Sequence, residues 1–182
     1  NLNDNSMMKK TLLILAAALS GVLAAGAQTG REWQDPAVNE INRLPMRSSF
    51  AAGERLSLDG VWKFHWVRNA SERPSGIGAV DYDDAAWGSM PVPGMWELNG
   101  YGDPVYVNIG YAWRGNFRND PPYVPDAENH VGSYRRTFDI PASWGGKDIF
   151  LSIGSATSNV YVWVNGRFVG YSEDSKLAAQ FD

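Results

Sequence analysis

Paired carboxylates, histidines and clustered aromatics are the side chains in this sequence that could do chemistry, and each type also has a plainer use. Asp83-Asp84 and Glu173-Asp174 set two carboxyl groups side by side, the raw material of acid/base hydrolysis. Hydrolytic pairs, however, are assembled across space, and neighbours along an extended chain point in different directions, so both pairs read as solvated turns. Asp174, within Tyr171-Ser172-Glu173-Asp174-Ser175, is placed to cap the turn Leu177-Ala178-Ala179 by accepting free backbone N–H groups. Asn108 reads as a turn-forming amide. His65 and His130 have no cysteine or second histidine at a metal-ligand spacing, which points to structural roles. Flat rings can stack on a sugar, yet Trp62, Trp66 and Trp163 fall where an alternating strand needs large core side chains. Trp96, Tyr101, Tyr106, Tyr111 and Trp113 lie in an irregular stretch instead, where ligand or interface contact is the expectation.

Composition removes several function classes. The chain has 182 residues and no cysteine, which excludes disulfides, thiolate metal sites, a cysteine nucleophile and a lipidated cysteine. The formal charge is -4, and no run of Lys or Arg follows the first dozen residues, so the electrostatic footprint of a nucleic-acid binder is missing. With 19 Gly, 10 Pro, 8 Trp, 8 Tyr and 7 Phe, short strands joined by punctuated loops are favoured over helices.

The elements that must position these residues are strands. Trp62, Phe64 and Trp66 alternate with Lys63, His65 and Val67, the period-two pattern of a half-buried strand. A short turn is expected over 81–87, a brief extended piece over 90–92, an extended run over 132–140 and another alternation through Ile149, Leu151 and Ile153. Val160, Val162 and Val164 precede Asn165-Gly166, the strongest short hairpin signal, because a type I′ turn needs positive φ at both central residues. Residues 167–171 then form the return strand. About six short strands and no long helical period predict an all-β sandwich or jelly roll, unfinished at residue 182. Between 94 and 129 no sustained period appears, and a loop of that length in a compact domain is usually functional.

The N-terminus reads as an address label. Met7-Met8-Lys9-Lys10 is a basic start, 12–19 an apolar core, and Ala25-Gly26-Ala27 a small-residue cleavage signature ahead of Gln28. Ser20, Gly21 and Gly26 interrupt the apolar stretch, which argues against a membrane span, since a span needs about 20 apolar residues. Residues 1–6 are expected to be upstream translation, 7–27 a signal peptide directing export to the periplasm or medium, 28–57 an irregular lead-in, and 58–182 the β domain.

Met90-Pro91-Val92-Pro93-Gly94-Met95-Trp96-Glu97 and Gly100-Tyr101-Gly102-Asp103-Pro104-Val105-Tyr106-Val107-Asn108 resemble the N-terminal sugar-binding domain of glycoside hydrolase family 2 β-galactosidases. The resemblance continues through Pro121-Pro122-Tyr123-Val124-Pro125, Gly132-Ser133-Tyr134-Arg135-Arg136 and Val164-Asn165-Gly166-Arg167-Phe168-Val169-Gly170-Tyr171-Ser172-Glu173-Asp174-Ser175. It implies a galactose-binding-domain-like jelly roll that packs against a catalytic barrel elsewhere in a longer chain. It further implies that Asn108 and Asp174 contact a β-galactoside and that Asp174 helps to hold sodium, roles an amide and a carboxylate can chemically fill. Catalytic residues are expected to be none within this chain: a retaining mechanism needs two carboxyl groups about 5–5.5 Å apart, which the resemblance assigns to the barrel. Sodium and magnesium are implied for the full enzyme and none for this portion alone. Its partners would be the substrate and the remaining domains, with no nucleic acid, no membrane span and a homo-oligomer at full length. A stand-alone carbohydrate-binding module, a domain that only orients a partner subunit, and the equivalent domain of a β-glucuronidase or β-mannosidase are the alternatives.

Overall fold

Strand β2 (Gly60–Val67) forms where the Trp62/Phe64/Trp66 alternation predicts it, and it is the central strand of a three-stranded antiparallel sheet. The computed structural model describes residues 29–46, 53–104, 120 and 122–182. Strand β1 (Glu40–Ile41) precedes β2, followed by β3 (Gly88–Val92), β4 (Val131–Arg135), β5 (Leu151–Ile153), β6 (Val160–Val164), β7 (Arg167–Ser172) and β8 (Ala179–Phe181). Among the described residues the only helical pieces are single 3-10 turns, Glu32–Gln34, Ala70–Glu72, Glu97–Asn99 and Ala142–Trp144. The fold is all-β, with every strand pairing antiparallel.

Among the described residues the strands form three sheets, in the orders β3-β2-β4, β1-β7-β6 and β5-β8. In the first, Trp62 lies opposite Met90 and Phe64 opposite Tyr134. Phe64 and Met90 are fully enclosed, and the Phe64 ring meets Tyr134 at 4.6 Å and Tyr101 at 4.7 Å between centroids. A second core joins the other two sheets: Val162, Ala179 and Phe181 are buried, with Leu151, Ile153, Val160 and Val169 packed around them. Burying such side chains is the main stabilising contribution, about 1.5–3 kcal/mol for each large one fully enclosed.

Two glycine-containing positions decide local geometry. Asn165 and Gly166 both have positive φ, 49° and 81°, and they turn β6 into β7 as the hairpin signal predicts. At Gly170 the chain is pressed from both sides, because a Cβ there would stand 2.5 Å from the Ile41 carbonyl oxygen and 2.6 Å from the Phe181 ring. Only a residue without a side chain lets β1 and β8 approach β7 this closely.

Three elements differ from the sequence expectation. The lead-in is not wholly irregular: Glu40 and Ile41 pair with Ser172 and Tyr171, Arg43 bridges to Phe181, and the Leu44 N–H donates to the Gln180 carbonyl at 2.8 Å. Two residues are too short to show a period, and their partners lie far along the chain. The 132–140 run is a strand only to Arg135, and Phe138 and Ile140 are exposed. Ala179, expected in a turn, begins β8, where pairing with Ile153 overrides the helix preference of alanine.

Candidate functional site

Asp174 follows the end of β7, where the strand leaves the sheet. Register explains its surroundings: Glu40 lies directly across from Ser172, so their side chains share a face, and Asp174 stands two residues farther along the same chain. Arg43 reaches into this corner from the lead-in. Its Nε donates to Glu40 Oε2 at 2.6 Å, its second terminal nitrogen pairs with the same carboxylate, and Nη1 donates to Ser172 Oγ at 3.0 Å. The same Nη1 lies 3.5 Å from Asp174 Oδ2. The Arg43 side chain is 8% exposed and that of Asp174 38%, so the cation is enclosed while the carboxylate still meets solvent.

Main-chain bonds fix the same corner. The Glu173 N–H donates to the Asn39 carbonyl at 3.2 Å, and the Leu177 N–H to the Asp174 carbonyl at 3.1 Å. The turn is thus closed by the backbone oxygen of Asp174, and its carboxylate faces Arg43 rather than acting as the expected cap. Glu173, its neighbour, accepts the Tyr171 hydroxyl at 2.6 Å. Burial, followed by that bond to Glu173, raises the Tyr171 phenol well above the ordinary tyrosine range and keeps it a donor. Of the two adjacent carboxylates Glu173 is engaged by a short hydrogen bond, and Asp174 by a looser ion-pair contact with 38% of its side chain exposed.

Beneath the corner the Tyr171 ring packs on Tyr161 with centroids 4.6 Å apart. Tyr161 donates to Glu32 Oε2 at 2.7 Å, and Glu32 Oε1 accepts both the N–H and the hydroxyl of Thr29. Burial opposes ionisation of Glu32, but these hydrogen bonds outweigh it and hold the carboxyl below its ordinary range.

Asn108 lies outside the described residues, as do Tyr106, Tyr111 and Trp113. The root of that loop is described. Gly102 sits against Trp66 and His130, whose rings are 5.0 Å apart edge to face. Trp66 Nε1 and His130 Nε2 are enclosed without a hydrogen-bond partner, and His130 Nε2 lies 3.5 Å from Glu128 Oε2. His65 stacks on Trp87. Both histidines thus pack against tryptophans, and no group of three or more His, Cys, Asp or Glu residues able to hold a metal occurs among the described residues. A carboxylate such as that of Asp174 is chemically able to ligate a hard cation through oxygen.

Two sequence expectations change. Trp96 and Tyr101, expected as interface or ligand contacts, are half-buried and pack over the core: Trp96 lies 6.1 Å from the Phe64 ring and donates to the Tyr134 hydroxyl at 2.5 Å, and Tyr101 meets Phe64 edge-on. Asp84, expected in a solvated turn, accepts from Arg135 Nε at 2.9 Å, and the same guanidinium donates to the Ile77 and Ala79 carbonyls. Arg43 and Glu40 were not legible as site residues. Their opposite charges three apart are visible in the sequence, but the partner Ser172 is 129 residues away from Arg43.

A family profile described as "Glycosyl hydrolases family 2, sugar binding domain" matches residues 56–182. The "Beta-galactosidase" of Halalkalibacterium halodurans is 40% identical over 162 residues, covering 82% of this chain and 16% of that protein. The "Beta-galactosidase" of Priestia megaterium is 42% identical over 126 residues, 69% of this chain and 12% of that protein. The "Beta-galactosidase large subunit" of Leuconostoc lactis is 35% identical over 179 residues, 85% of this chain and 29% of that protein. The chain thus spans less than a third of the length of each.

Proposed function

The chain belongs to the sugar-binding domains of glycosyl hydrolase family 2, and on that premise we propose that it is the non-catalytic N-terminal portion of an exported β-galactosidase. The parent enzyme removes terminal non-reducing β-D-galactosides with retention, and this domain supplies part of the wall of the substrate pocket. The galactoside assignment draws its support from relatives that are named β-galactosidases, at 35–42% identity over most of this chain. The observation that carries the pocket role is Asp174, a carboxylate held at the rim of β7 with one side facing solvent.

In this reading Asp174 accepts sugar hydroxyls and lends an oxygen to sodium, and Asn108 contributes its amide. The two carboxyl groups that break the glycosidic bond, and the magnesium of the full enzyme, belong to the remaining domains. The segment 7–27 directs export and is removed. Among the described residues no helix is long and apolar enough to cross a membrane.

The test is kinetic. The full-length enzyme should hydrolyse o-nitrophenyl β-galactoside in strong preference to the corresponding glucuronide and mannoside. Asp174→Asn should lower kcat/KM by roughly 10- to 100-fold, the loss expected for a hydrogen bond to a charged group. Unchanged kinetics would remove Asp174 from the pocket, and preference for another glycoside would redirect the substrate assignment.

A further inference from the structure

We propose that Arg43 is a positioning residue for Asp174, which makes the lead-in segment a working part of the substrate wall and not merely a tether. The inference rests on the reading of Asp174 as a substrate ligand. A guanidinium carries five N–H donors in a rigid plane. Here Nε and one terminal nitrogen engage Glu40, and Nη1 donates to Ser172 Oγ at 3.0 Å while lying 3.5 Å from Asp174 Oδ2. Three acceptors from β1 and the end of β7 thus converge on one enclosed plane, which leaves the guanidinium no freedom to swing.

The distances divide the work between the two carboxylates. Glu40 holds Arg43 at hydrogen-bonding distance, whereas 3.5 Å to Asp174 is an ion-pair contact beyond a normal hydrogen bond. Arg43 therefore orients Asp174 electrostatically without tying it up in a hydrogen bond, which Glu40 and Ser172 take instead. A carboxylate pointed in one direction with lone pairs still free is what a sugar hydroxyl needs as an acceptor. The lead-in secures the same residue through the backbone, since Glu173 N–H donates to Asn39. Asn42, at φ 55°, turns the chain between these points and donates to the Val169 carbonyl at 3.0 Å.

The experiment uses the full-length enzyme, with o-nitrophenyl β-galactoside as the probe, and compares Arg43→Lys, Asp174→Asn and the double variant. Lysine keeps the charge, but its single nitrogen cannot reproduce the planar fork that engages Glu40 through two nitrogens while a third reaches Ser172 and Asp174. Arg43→Lys should raise KM roughly 3- to 10-fold with a smaller change in kcat, the size expected for a half-exposed ion pair, and should add nothing in the Asp174→Asn background. Glu40→Gln, at an exposed position, gives a second reading: with its competitor gone, Arg43 should close on Asp174 and again raise KM. If Asp174→Asn raises KM while Arg43→Lys and Glu40→Gln leave it unchanged, the positioning role is overturned and the pocket reading survives. If Asp174→Asn has no effect, both fall. Equal losses from Arg43→Lys in the two backgrounds, accompanied by a lower Tm, would make Arg43 a structural tie and overturn the proposal.

Discussion

Tyr161 donates its phenolic hydrogen to Glu32 Oε2 at 2.7 Å and so joins a 3-10 turn of the lead-in to the start of β6. Because Glu32 is 4% exposed, that bond and the two from Thr29 stabilise the ionised carboxylate in a place water does not reach.

The consequence is a pH-dependent attachment of the lead-in. The carboxyl of Glu32 is held below its ordinary value of 4.5, so the unfolded chain binds the proton more readily than the folded one. The stabilisation is therefore present above pH 4.5 and is lost as pH falls through the lowered folded value. Hydrogen exchange of the lead-in amides should accelerate on acidification below that point, and Glu32→Gln should accelerate it at neutral pH and flatten the acid response.

Gly170→Ala should destabilise the domain by about 1–3 kcal/mol or more, because the new methyl has no room between the Ile41 carbonyl and the Phe181 ring. Thermal unfolding followed by tryptophan fluorescence measures this, and a Tm equal to wild type would show that β1 and β8 can give way.

Arg135 and Arg68 make ion pairs of unequal worth. Arg135 is 21% exposed and also serves the Ile77 and Ala79 carbonyls, whereas Arg68 and Glu128 are 50% and 54% exposed. Arg135→Met should cost about 1–3 kcal/mol through the acceptors it strands, and Arg68→Met less than about 1 kcal/mol. Denaturant unfolding of the two variants compares them directly.

Trp96→Phe should lower stability by about 0.5–1.5 kcal/mol, the loss of one hydrogen bond to Tyr134, and leave galactoside KM unchanged. A raised KM with unchanged stability would return Trp96 to the ligand surface.

Legibility in the sequence followed the range of the interactions. Strands β2, β6 and β7 and the hairpin at Asn165-Gly166 announce themselves, since alternation and turn chemistry are local. Strand β1 does not, because its two residues acquire their conformation from β7. Asp174 could be singled out through the motif around it, but the cation that orients it comes from the other end of the chain, and no spacing rule connects Arg43 to Ser172. The loop aromatics misled for a related reason: Trp96 and Tyr101 lie in an irregular segment that folds back over Phe64, so lack of a period did not mean lack of a core.

The pairing of Arg43 with Phe181 and of Leu44 with Gln180 sets an order of events during synthesis. The lead-in leaves the ribosome first, yet its partners in β7 and β8 emerge only after well over a hundred further residues. Throughout that interval β1 lacks its strand partner, although Gly30 can already accept from Arg73, and closing so long a loop is slow compared with forming a hairpin. The corner around Asp174 is therefore completed late, only after β7 and β8 are in place to receive the lead-in.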